Sequence, residues 1–133
     1  MTSPLKSGAF YFALVFAAGF VLGAIRTLLL APRVGDLAAV AIELPVMLAV
    51  AWFACGAVLR WVKPGQGIAA RAVMGLLAFA LLMAAELALA LLLGVPSTSA
   101  WLVSLTSAHG LLGLAGQIVF AIFPLVRYRP ASN

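Results

Sequence analysis

Residues 37–61 read LAAVAIELPVMLAVAWFACGAVLRW, and Glu43 is the only acidic residue in this apolar stretch. A helix that rises 1.5 Å per residue needs roughly 20 apolar residues to cross about 30 Å of hydrocarbon, and this stretch is longer than that. Three more runs of the same character occupy approximately residues 8–30, 68–93 and 100–126. The sequence therefore predicts four helices long enough to span a membrane.

The overall composition supports the same interpretation. Among the 133 residues, 66% are hydrophobic and only 8% are charged, whereas about 25% of the residues in a soluble domain are charged. The alternating strands of roughly ten residues that build a membrane β-barrel are not found in the sequence. We therefore expect an all-α integral membrane protein, in which residues 1–133 form a single transmembrane domain without a soluble catalytic module.

The connections between the apolar runs predict how the helices are arranged. Pro and Gly residues in the segments 31–36, 63–67 and 94–99 should end the preceding helices, and Asp36 and Ser97 offer N-caps for the following ones. Loops this short favour antiparallel neighbours. The expected architecture is therefore an antiparallel, up-down-up-down four-helix bundle.

The basic residues predict the orientation of this bundle. One predicted side carries most of them, namely Lys6, Arg60, Lys63, Arg71, Arg127 and Arg129, while the other side carries Arg33 next to Asp36. The positive-inside rule then places both termini in the cytoplasm and the chain in the cell inner (plasma) membrane. Topology and anionic lipid explain the net charge of +5, so the expected partner is the lipid bilayer and not a nucleic acid.

Each predicted span contains one ionisable residue away from its ends: Arg26, Glu43, Glu86 and His109. Counted from the predicted helix ends, all four lie on the order of 9 to 14 Å below the outer membrane boundary. Arg26 and Glu43 are the natural ion pair, and Glu86 either stays protonated or pairs with a protonated His109. Gln117, about two turns beyond His109 on much the same face, extends the polar track inward. These five residues are the predicted polar cluster.

The polar cluster has a structural and a functional interpretation. A polar contact between membrane helices contributes only about 0.6 to 2 kcal/mol, whereas an Arg or Glu at mid-bilayer costs about 2.5 to 3.5 kcal/mol. Such a contact returns less free energy than burial of the charged group costs, so stability alone does not explain the cluster. This favours a function, such as binding of a proton or a small ligand. Beyond Gln117 the fourth span is apolar until Arg127, so a site open to the outer side is favoured over a channel through one protomer.

Metals and cofactors are not expected in the polar cluster. Two carboxylates and one imidazole from Glu43, Glu86 and His109 are a chemically possible metal set. A neighbouring Arg26 would repel a cation, however, and a haem with two histidine ligands would need a second protomer because His109 is the only histidine.

Glycines at helical spacing predict where helices approach one another: Gly19 and Gly23 in the first span, and Gly110, Gly113 and Gly116 in the fourth. Packing within the chain is expected for both sets, with homodimerisation as the alternative. Pro45, two residues after Glu43, should kink the second span and free a backbone carbonyl near the polar cluster.

Two short segments resemble known membrane families. Residues 18–26, AGFVLGAIR, are similar to the opening of small four-helix fluoride channels, whose first helix ends in Gly-Ala-x-x-Arg. The spacing here is Gly-Ala-x-Arg, and the motifs of that family's second and third helices are missing. Residues 43–45, ELP, resemble a fragment of the membrane-bound glutathione and eicosanoid enzymes, whose preceding Arg and Asn are absent here. Neither resemblance carries a function over to this chain.

The sequence as a whole favours a non-enzymatic role. The expected function is that of an accessory or assembly subunit of a larger membrane complex, or of a small protein that responds to a proton or a small ligand. The alternative is a homo-oligomeric transporter or channel that uses Arg26, Glu43 and Glu86. A membrane-bound enzyme ranks third, because the chain contains no catalytic triad pattern, phosphate-binding glycine loop or Cys-x-x-Cys.

Overall fold

The computed structural model describes residues 3–62, 64–65 and 67–127, and every regular element in these ranges is helical. In chain order the elements are α1 (Pro4–Ile25), a π-helical segment (Arg26–Leu30), α2 (Ala31–Val34), α3 (Asp36–Trp61), α4 (Ile68–Leu92), α5 (Thr98–Ser104) and α6 (Ala108–Val126). Four continuous stretches are long and apolar enough to cross a membrane, namely Pro4–Val34, Asp36–Trp61, Ile68–Leu92 and Ala108–Val126. The prediction of an all-α chain with four apolar spans is confirmed for the residues described.

The first span is longer at both ends than the predicted 8–30. It begins at Ser3, whose side chain accepts a hydrogen bond from the backbone N–H of Lys6, with Pro4 in the first turn. It also continues past Pro32. In the π-helical segment just before this proline, the N–H of Ala31 bonds to the carbonyl of Arg26, and this bond keeps the chain helical up to Pro32. Gly35, with φ of 87°, ends it instead.

The predicted fourth helix, residues 100–126, is divided in the structure. After α5 the helix is interrupted at residues 105–107, and α6 begins only at Ala108. Hydroxyl groups account for the break, since the side chains of Ser104 and Thr106 donate to backbone carbonyls three residues earlier. Ser107 then caps α6 by accepting from the N–H of Gly110.

The four long helices pack as a ring. The contacts run from α1 to α3 and α4, and from α6 to the same two helices. The residues buried between them are Tyr11, Val15, Ala51, Cys55, Val58, Met74, Ala78, Leu82 and Phe120. Large apolar side chains also cover the outside of the bundle; Phe53 is 74% exposed and Leu92 is 83% exposed. An apolar exterior of this extent suits a surrounding of lipid and not of water.

Two glycines, one on α1 and one on α4, mark places where helix backbones come close together. A Cβ atom on Gly75 would overlap the carbonyl oxygen of Ala121 on α6, and one on Gly8 would lie 2.8 Å from the carbonyl oxygen of Met74. Only glycine lets the backbones come this near. Neither position is predicted from the sequence, although a glycine inside an apolar helix often has such a packing role.

The glycines and the proline that the sequence did single out occupy varied surroundings. Gly116 is buried, and a Cβ there would overlap the Leu44 side chain. On the first span, Gly19 faces Met47 and Gly23 faces the Arg26 side chain. On α6, Gly110 lies against the turn at Ser104 and Ser107, and Gly113 faces open space. Pro45 lies inside α3 on its exposed side. Gly116 is thus the member of the set that lies where α6 meets α3.

Candidate functional site

An ion pair between Arg26 and Glu43 connects the last part of the first span to the first part of the second. The Nη1 atom of Arg26 donates a hydrogen bond to Oε2 of Glu43 at 2.8 Å, and the two side chains are 34% and 11% exposed. Arg26 is also the first residue of the π-helical segment, a local geometry that is often found at functional positions. The two groups that the sequence pairs by depth are therefore in contact.

Glu86 on α4 is bonded to Gln117 on α6. The Nε2 atom of Gln117 donates to Oε1 of Glu86 at 2.5 Å. The predicted alternative, in which Glu86 pairs with His109, is not the arrangement found. The break before α6 places His109 in the first turn of that helix, eight residues or about 12 Å from Gln117. No hydrogen bond of the imidazole to another described residue is present.

One polar atom of this pair has no partner. The Oε1 atom of Gln117 is buried and accepts no hydrogen bond from any described residue. A buried acceptor without a donor costs on the order of 1 to 3 kcal/mol. The amide thus has room for one donor, whether a hydroxyl on a protonated Glu86 or a group on a bound molecule.

A second polar network, formed by Tyr11, Trp52, Arg71 and Arg127, lies where α1 begins and α6 ends. The Tyr11 side chain is fully buried, its ring stacks on Phe120 at 4.3 Å between centroids, and its hydroxyl donates to the carbonyl of Phe120 at 2.6 Å. That carbonyl is available because Pro124, four residues later, has no N–H to bond to it. Tyr11 thereby replaces the missing bond of the helix.

The arginines of this network hold the end of α6 against its neighbours. The Nη1 atom of Arg71 on α4 donates to the carbonyl of Pro124 at 3.0 Å, where a cation also complements the negative end of the helix dipole. The Nη1 atom of Arg127 donates to the carbonyl of Trp52 at 3.3 Å, and its guanidinium lies 4.2 Å from the centre of the Trp52 ring.

Gly56 makes the second of these contacts possible. It follows Trp52 by one helical turn on α3, and a Cβ atom there would lie only 2.8 Å from Nη2 of Arg127. Because glycine has no side chain, the Trp52 carbonyl stays open to a donor from α6. From the sequence, Arg127 indicates only the topology, because the pattern Trp-x-x-x-Gly carries no signal strong enough to predict its contact with Trp52.

No metal centre is built from the residues described. No three of the His, Cys, Asp and Glu side chains in the described ranges are placed to hold a metal ion. An open apolar groove of about 590 Å³ runs between α1 and α3 and is lined by Leu14, Val46, Ala49, Val50, Phe53 and Ala54. Its lining offers no group for catalysis.

Comparison of the chain with protein-family models, with curated proteins and with solved structures gives no significant match. The role of the polar residues is therefore inferred from their own geometry.

Proposed function

We propose that this chain is a non-enzymatic accessory or assembly subunit of a larger complex in a bacterial-type inner (plasma) membrane. One observation carries the proposal: both carboxylates inside the bundle are already bonded within the chain, Glu43 to Arg26 and Glu86 to Gln117. Groups that are satisfied in this way hold helices together and leave no obvious carrier for an ion. In this proposal the polar cluster holds the helices of the bundle together.

The interior between the two polar levels supports a structural role. Val15 on α1 and Ala78 and Leu82 on α4 are buried there. On α6 the Phe120 ring, stacked on Tyr11, follows Gln117 by one turn. An ion that crossed one protomer would have to pass this apolar layer without a ligand, which is costly in hydrocarbon surroundings.

The contacts at the helix ends support the up-down-up-down order that this proposal adopts. Ser7 donates to the carbonyl of Val62, Tyr11 to that of Phe120, and Gly8 lies against Met74. The starts of α1 and α4 thus meet the ends of α3 and α6 at one end of the bundle. Lys6, Arg60, Arg71 and Arg127 belong to that end, so the positive-inside rule favours cytoplasmic termini.

The proposal predicts that the tagged protein, extracted in mild detergent from its own membranes, has a native mass well above that of any small homo-oligomer. Mass spectrometry of the same peak should identify at least one other membrane protein in fixed proportion. A sharp peak that contains this chain alone, at the mass of a dimer to tetramer, would contradict the accessory role and favour the alternative of a homo-oligomeric transporter.

A second candidate function, a response to a proton or small ligand, is favoured by the unpartnered Oε1 atom of Gln117. A neutral carboxylic acid and an amide can form a cyclic pair, in which the amide N–H bonds to the acid carbonyl and the acid O–H bonds to the amide oxygen. Protonation of Glu86 would supply that missing donor. Glu86 and Gln117 are therefore the residues through which such a response would act.

A further inference from the structure

We propose that an anionic phospholipid binds along α3, with its phosphate group between Arg60 and Arg127 and one acyl chain in the apolar groove between α1 and α3. The proposal goes beyond the accessory role and does not depend on it; it requires only that the helices lie in a bilayer. Three features of the described residues carry it: the unbalanced charge of the two arginines, the way Arg127 is held, and the position of the groove.

The charge at this end of the bundle has no counterpart in the chain. The three acidic residues are Asp36, Glu43 and Glu86, and all of them belong to the other polar level or to the start of α3. Neither Arg60 nor Arg127 forms an ion pair with a described residue. Cations at the edge of hydrocarbon attract anionic headgroups, and the attraction contributes about 1 kcal/mol for each Lys or Arg near the surface.

Arg127 is held in place before any ligand arrives. Its Nη1 atom bonds to the Trp52 carbonyl, and its guanidinium lies over the Trp52 ring across the space left by Gly56. A guanidinium has five N–H donors in a fixed plane, so donors remain for a phosphate oxygen. Because the side chain is already ordered, binding would cost little further conformational entropy.

The groove continues the same surface toward the middle of the membrane. On α3, Phe53, Gly56 and Arg60 recur at intervals of three and four residues, so they lie along one face of the helix. Phe53 lines the groove, and Arg60 lies about 10 Å further along the helix. This arrangement of a charged end and an open apolar channel matches a headgroup and its acyl chain, whereas free phosphate would use the charged end alone.

The test uses Trp52 as a reporter, since its ring borders the proposed headgroup site. In a Trp61→Phe, Trp101→Phe background, the purified protein is reconstituted with increasing fractions of brominated phosphatidylglycerol or brominated phosphatidylcholine. Bromine on the acyl chain quenches nearby tryptophan fluorescence. We expect the anionic lipid to quench Trp52 at a severalfold lower mole fraction than the zwitterionic lipid.

Arg60→Gln should weaken this preference by on the order of fivefold, and adding Arg127→Gln should remove the rest. Arg60 is exposed, and no hydrogen bond from its side chain to a described residue is present, so the single variant tests the site without a change in the fold. Arg33→Gln, which removes the same charge from α2 at the opposite end, should leave the preference unchanged.

Three results would overturn the proposal: equal quenching by both lipids in the unmodified background, a preference that survives loss of both arginines, or equal weakening by Arg33→Gln. Excess inorganic phosphate distinguishes a lipid phosphate group from free phosphate as the ligand of the two arginines. The proposal expects phosphate to weaken the preference no more than chloride does at the same ionic strength; a loss specific to phosphate would assign the arginines to a soluble anion and not to a lipid.

Discussion

Glu43→Ala is expected to lower the free energy of unfolding by about 2.5 to 3.5 kcal/mol, the cost of an unpaired arginine inside a membrane. The substitution removes the carboxylate that accepts from Arg26 at 2.8 Å and leaves the guanidinium without its hydrogen-bonded anion. Loss of helical circular dichroism with increasing SDS fraction in mixed micelles measures the change. The transition should move to a markedly lower SDS fraction.

Two further variants show whether this loss comes from the stranded charge. Replacing both partners, Arg26→Leu with Glu43→Leu, should recover most of the stability, because removing a buried pair as a whole costs far less than removing one member. Asp36→Ala removes an exposed acid from the start of the same helix and should change the stability by less than about 1 kcal/mol. A Glu43→Ala protein as stable as the parent would contradict the internal position of the pair.

Tyr11→Phe is expected to cost about 1 to 2 kcal/mol, although it removes a single oxygen atom. The hydroxyl is the donor to the Phe120 carbonyl, which Pro124 leaves without its usual partner inside the helix. The ring would stay stacked on Phe120, so the change isolates the hydrogen bond. The same SDS titration gives its size.

Pro124→Ala provides the matched test of that mechanism. It restores an N–H at position 124, which can bond to the Phe120 carbonyl as in an ordinary helix. Pro124 is itself buried, so this substitution has a packing cost of its own, but a double-mutant cycle removes that term. We expect Tyr11→Phe to cost much less in the Pro124→Ala background. Equal costs in both backgrounds would show that the Tyr11 hydroxyl does not replace the missing helix bond.

The four spans could be predicted from the sequence because apolar length alone decides which segments suit a bilayer, and length is visible in the chain. Helix ends were harder to predict. Pro32 predicts an end of the first helix near residue 30, but the π-helical segment before it places this proline in a first turn, where its missing N–H is tolerated. Gly35 ends the span instead. The hydroxyl residues 104–107 interrupt the fourth span by bonding to their own backbone.

How well each polar contact could be predicted depended, to different degrees, on the prediction of these helix ends. Arg26 and Glu43 sit on consecutive helices joined by a short connection, so counting residues was enough to bring them together. The partner of Glu86 depended on where α6 begins, and the unforeseen break shifted that position from His109 to Gln117. The bond from Tyr11 to Phe120 leaves one trace in the sequence, a proline four residues after the acceptor, but only the packing of α1 against α6 reveals the donor.

We propose that the interior polar residues hold the bundle together and conduct no ions. Proton flux into liposomes that contain the purified protein and a trapped pH-sensitive dye tests it most directly, with protein-free liposomes and a Glu86→Gln protein measured alongside. We expect all three preparations to collapse an imposed pH gradient at the same slow rate. Faster collapse with the parent protein, abolished by Glu86→Gln while the helical circular dichroism and native mass stay unchanged, would contradict it and make Glu86 a carrier of protons.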